Sequence, residues 1–89
     1  MRAVVTVIGK DMVGILAKVS NMCAEANANV TDVTQSVLQD VFAMIMIIDI
    51  GNMNCELSAL SDKMQELGTD NNLSIKVMHE DIFNSMHRI

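Results

Sequence analysis

The chain has no proline, no tryptophan and no tyrosine, and its aromatic residues are Phe42 and Phe83 alone. It therefore offers no aromatic platform on which bases could stack. Six basic residues, Arg2, Lys10, Lys18, Lys63, Lys76 and Arg88, are scattered among eleven acidic ones, for a net charge of −5. No patch is left to neutralise a row of phosphates, so nucleic acid is not an expected partner. With no proline and no Gly/Ser-rich or low-complexity stretch, residues 1–89 read as a single domain. The longest apolar run, Val41 to Ile48, is far too short to span a bilayer, and no membrane association is expected. Met1-Arg2 leads straight into a strand-like run without a signal-peptide cleavage site, which points to the cytoplasm. Two isolated cysteines, Cys23 and Cys55, make neither a disulfide framework nor a metal-ligand pair.

What the chain does have is apolar bulk: 51% hydrophobic residues in 89, including nine methionines. A domain of this length buries only about two thirds of the surface its unfolded chain exposes, so a partner subunit would help it. The methionines read as adaptable core filler or, alternatively, as a Met-rich binding surface.

Residues Arg2 to Ile8 form a strand pattern, with Val4, Val5, Val7 and Ile8 apolar and β-branched and Gly9 as the stop. A loop, Gly9 to Gly14, hands the chain to a helix expected from Ile15 to about Ala28. Its apolar stripe is Ile15, Leu16, Val19, Met22, Cys23 and Ala26, and Asn27 and Asn29 close it. Val30 to about Gln39 reads as a less regular strand, with a turn at Asp40. Val41 to Ile50 is apolar on both faces, as a mid-sheet strand is. Asn52 or Asn54 can cap the next helix, which carries Leu57, Leu60, Met64 and Leu67 and is stopped by Gly68. Leu73, Ile75 and Val77 alternate with Ser74, Lys76 and Met78 in a last strand. Ile82, Phe83, Met86 and Ile89 are spaced for a short docking helix.

The order β-α-β-β-α-β is a pair of split βαβ units. The fold class is therefore α+β: a ferredoxin-like sandwich with a four-stranded antiparallel sheet in the order 4-1-3-2. Both helices lie on one face, and a short C-terminal helix follows. The two-sided third strand then requires a cover on the other face, either that C-terminal helix or a second subunit. A homodimer is the favoured expectation, because large exposed apolar patches are rare on monomers.

Several activities share this architecture. A copper-chaperone-like module needs a Cys-x-x-Cys in the first loop, and an acylphosphatase-like enzyme needs an arginine there. Gly9-Lys10-Asp11-Met12-Val13-Gly14 holds neither. An RNA-recognition module needs aromatics on the central strands. The strand Val4-Val5-Thr6-Val7-Ile8, the loop running on through Ile15-Leu16, and Asn29-Val30 together resemble the ACT family of regulatory domains over essentially the whole chain. Asp32-Val33-Thr34-Gln35 and the tail from His79 to Ile89 are similar to small stand-alone ACT proteins of bacteria and archaea.

That resemblance implies a regulatory protein that is not an enzyme. It implies binding of an amino acid or similar small molecule, usually between two ACT domains, with no cofactor. The implied ligand-binding residues are Gly9, Lys10, Asp11, Met12, Val13, Gly14 and Ile15 of one copy with Asn29 and Val30 of its neighbour. Asp11 falls where many members place a polar ligand contact, and could hold an ammonium. Backbone N–H groups at the helix start could hold a carboxylate. Asn29 falls where some members place an asparagine that reaches across the interface. The plainer readings are a turn or cap for Asp11, backbone geometry for Gly9 and Gly14, and a helix stop for Asn29. Gly9 departs from members with a polar side chain there, which supports an alternative role as an interaction or scaffold module without ligand. A stand-alone chain must act through another protein, a regulated enzyme or regulator. His79, Glu80, Asp81 and His87 suit a divalent metal by type but not by spacing. A strand-end histidine with Glu80 or Asp81 capping the helix that follows is the default reading there.

Overall fold

The computed structural model describes residues 1–10 and 14–86. The elements run β1 (Arg2–Gly9), α1 (Ile15–Glu25), β2 (Asn29–Leu38), β3 (Val41–Asp49), α2 (Leu57–Asp70), β4 (Ser74–His79) and α3 (Glu80–Met86). The sheet order is β2-β3-β1-β4, antiparallel throughout, which is the 4-1-3-2 arrangement read from the other edge.

Alternation decides the layers. Ala3, Val5 and Val7 of β1 point to the same side as Phe42, Met44, Met46 and Ile48 of β3, and all seven are buried. Against them pack Ile15, Val19 and Cys23 of α1 and Leu60, Met64 and Gly68 of α2. Leu16, expected on the buried stripe, is exposed, because α1 buries only the narrower i, i+4, i+8 row.

The irregularity of β2 has a local cause. A bulge lies between Val30 and Asp32, and the skipped Thr31 donates its hydroxyl to the Ile47 carbonyl at 3.1 Å. The extra residue switches parity, so Val30 and Val33 both face the helices.

Both long helices end in the same way. Asn27 and Asn72 take left-handed conformations, with φ of 58° and 56°. Ala28 N–H donates to the Cys23 carbonyl at 2.9 Å, and Leu73 N–H to the Gly68 carbonyl at 2.7 Å. These are the six-to-one bonds of Schellman motifs. Three expectations are corrected here. The first helix stops at Glu25, short of Ala28, and Asn29 already belongs to β2. Gly68 does not stop α2 but lies inside it, two residues before its end. Neither Asn52 nor Asn54 caps α2, whose N-cap is Glu56. Asn54 serves the opposite end of the other helix, donating from its side chain to the Glu25 carbonyl at 2.8 Å. The asparagine ends predict a contrast. Asn72→Gly should be neutral within about 0.5 kcal/mol, since glycine accepts the same φ. Asn27→Gly should cost about 1 kcal/mol more, because Asn27 also donates to the Asn52 carbonyl at 2.7 Å. Paired denaturant titrations check this.

The open face of the sheet is covered in part by α3, which rests on β1 and β4. Val4 is buried there, but Ile8, Val41 and Ile45 remain exposed. Of the expected docking stripe on α3 only Phe83 is half-buried, while Ile82 and Met86 are exposed and Ile89 lies outside the described residues.

Candidate ligand site

The first loop begins where β1 ends. Gly9 pairs with Phe42, and a side chain at position 9 would run into Leu73 Cδ2. The end of the Leu73 side chain thus occupies the space that a side chain at position 9 would enter. Lys10 extends into solvent, 3.9 Å from Asp40 in the β2–β3 turn. Gly14 is the N-cap of α1 at φ 74°, a conformation that glycine adopts without strain. It brings no side chain to the first-turn amides. Ile15 is committed to the core, so its backbone N–H is the group it can offer a ligand. Asp11, Met12 and Val13 lie outside the described residues.

The second group sits elsewhere. Asn29 opens β2 opposite Asp49, with its side chain exposed, and Val30 packs against the core. Gly9 pairs at the Phe42 end of β3 and Asn29 at the Asp49 end. At about 3.3 Å per strand residue the two groups stand roughly 20 Å apart. Within one copy they cannot touch the same small molecule. Asn29 does line a shallow depression of about 270 Å³, together with Ala24, Asn27 and Ala28 at the end of α1. Its signal in the sequence was the run Asn27-Ala28-Asn29, which reads more simply as a helix end.

The remaining chemistry-bearing residues have structural partners. Asp81 N–H donates to His79 Nδ1 at 3.1 Å, so the strand-end histidine, rather than Glu80 or Asp81, caps α3. A ring nitrogen that accepts this bond carries no proton, so the nearby Asp81 carboxylate, 3.6 Å from the same atom, is not an ion-pair partner in that state. Glu80 instead pairs with Arg2 at 2.6 Å, tying the start of α3 to β1. Cys23 is fully buried, and burial pushes its thiol up to about 11. A thiol in that state is a poor nucleophile. Among the described residues no three His, Cys, Asp or Glu side chains converge on a common point. No helix among them is long and apolar enough to cross a membrane.

Known proteins match this arrangement over most of the chain. The ACT domain family model matches residues 2–78. A UPF0237 protein of Clostridium perfringens is 47% identical over 89 residues, covering all of both chains. A UPF0237 protein of the archaeon Methanopyrus kandleri is 43% identical over 88 residues, covering 99% of this chain and 98% of its own. Among solved structures, an ACT domain protein from Streptococcus pneumoniae superposes with a TM-score of 0.80 at 32% identity, covering 93% of each chain. The regulatory subunit of aspartate kinase from Thermus thermophilus shares the fold at a TM-score of 0.65 and 19% identity, over 85% of this chain and 49% of its own. A sandwich in the order β2-β3-β1-β4, with a glycine-bounded loop opening α1, is thus matched in sequence and in shape, and the chain belongs to the ACT domain family of regulatory modules.

Proposed function

We propose that the protein is an amino-acid-binding regulator that works as a homodimer and passes its state to a partner protein, an enzyme or another regulator. One observation carries this reading: the two groups of family-implied site residues stand at opposite ends of the sheet. A two-fold arrangement that sets the first loop of one copy against Asn29 and Val30 of the other brings them together twice. The ammonium of the amino acid would meet Asp11 and its carboxylate the amides of the α1 start, with Asn29 closing the site from across the interface. Ligand control then equals the difference in affinity between two packings of that interface.

A thermal-shift screen of the twenty amino acids tests the proposal. Ligand at a hundred times its dissociation constant adds about 2.7 kcal/mol. That is roughly 10 to 20 °C on a domain of this size. The expected result is a shift with one or two amino acids. Asn29→Ala should abolish it and leave the melting temperature of the free protein unchanged, since that side chain is exposed. A flat screen favours the second reading, a scaffold module of the same fold. The packing of Leu73 into the side-chain space at Gly9 supports that second reading.

A further inference from the structure

The face of the sheet away from α1 and α2 is not flat. Between it and α3 lies a cavity of about 310 Å³, within the range of small-ligand pockets. Strand register fixes its chemistry. Thr6 stands between its partners Ile45 and Lys76, and in the next row Ile8 stands between Ala43 and Ser74. Directly opposed residues on one sheet face lie about 5 Å apart. Two hydroxyls and an ammonium are therefore gathered on the β1–β4 side, with Ile8 and Ile45 beside them and Phe83 of α3 above.

We propose that this cavity is a second ligand site, for a small amphipathic carboxylate: Lys76 receives the carboxylate, and Ile8, Ile45 and Phe83 receive the apolar body. Charge selects the class. Among the described residues no acidic side chain lines the cavity. Among the described residues no carboxylate comes within 4.0 Å of the Lys76 ammonium; the acids that pair with a cationic side chain do so with Arg2 and Lys10. A cationic ligand would be repelled there, and a neutral one would gain nothing from the exposed ammonium. The flexible stem of Lys76 can lie along the apolar floor while its head reaches the carboxylate, with Thr6 and Ser74 as further donors. Shape also favours a small molecule over a second copy of the chain, because α3 stands over one side and makes the face concave. This site is independent of the one between copies, since it uses neither the first loop nor Asn29.

The test titrates the full chain with octanoate, octan-1-ol and octylamine while following backbone amide resonances. Octanoate should saturate, moving the amides of Thr6, Ile8, Ile45 and Lys76 and leaving Asn29 still. Octan-1-ol should bind at least tenfold more weakly, and octylamine not at all. Lys76→Gln should weaken octanoate at least tenfold without changing octan-1-ol, and Lys76→Arg should restore it. Equal binding of acid and alcohol, or an unaffected Lys76→Gln protein, would overturn the proposal and leave Lys76 as a guard of the sheet edge. Failure of octanoate to bind a dimer that Ile45→Glu splits into monomers would also overturn it, assigning this face to contact between copies.

Discussion

Replacing Gly68 with alanine is expected to destabilise the protein by about 2 to 3 kcal/mol, against the usual direction for such a change. In an exposed helix interior, glycine to alanine gains about 1 kcal/mol from propensity. Here Gly68 is buried on the inner row of α2, four residues beyond Met64 and eight beyond Leu60. An added Cβ would stand 2.7 Å from the Leu73 carbonyl oxygen and 3.4 Å from the Ile75 amide nitrogen. Both are backbone atoms and cannot swing aside as a side-chain end would. The Leu73 amide is bonded to the Gly68 carbonyl, so moving one end of this junction breaks the cap at the other. Relief requires α2 to lift from β4, which costs more than the propensity returns. At roughly 4 to 8 °C per kcal/mol for a domain of this length, the melting temperature should fall by about 10 to 20 °C. Gly9→Ala is the control: its clash is with the far end of the Leu73 side chain, which can rotate, and it should cost less.

Raising the pH through the range from 9 to 11 should remove about 2 to 3 kcal/mol of stability through Cys23 alone. Its thiol titrates near 9.0 when unfolded, but burial holds it up to about 11 in the fold. Between those values the unfolded chain has lost a proton that the folded chain keeps, so stability falls as pH rises. Below 9 the contribution is fully present. Denaturant melts across that range should show the fall, and a Cys23→Ala protein, with no thiol to ionise, should have a flatter profile from a lower start. Alkylation of the native protein near neutral pH should correspondingly modify the half-buried Cys55 and spare Cys23.

These two residues also show how far the sequence could be read. Cys23 was legible because it falls on a helical stripe, and helical period alone places it in the core. Gly68 has the look of a stop in the sequence because glycine both ends helices and permits close approach, and only the tertiary position of β4 separates the two. β3 announced itself as central through apolar residues on both faces. The faces of β2 were hidden by the bulge at Thr31, which breaks the two-residue period near the start of the strand. Asn54 was recognisable as a capping residue, yet which helix it serves depends on α1 ending beside it. The candidate site divides in the same manner. The residue types came from local motifs and family likeness, whereas the separation of Gly9 from Asn29 by the length of β3 is a property of the register.

That separation makes the central claim testable by complementation. The amino-acid screen would be run on Asp11→Ala, on Asn29→Ala, and on an equimolar mixture of the two unfolded and refolded together. If each site takes its loop from one copy and its asparagine from the other, both variants are silent alone. Half of the refolded dimers then pair an intact loop with an intact Asn29, and about a quarter of all sites are whole again. The account predicts that the mixture regains a ligand-induced shift with the same amino acid that stabilises the unaltered protein. A mixture as silent as its components, in a protein that binds that amino acid when unaltered and that exchanges subunits, would contradict it.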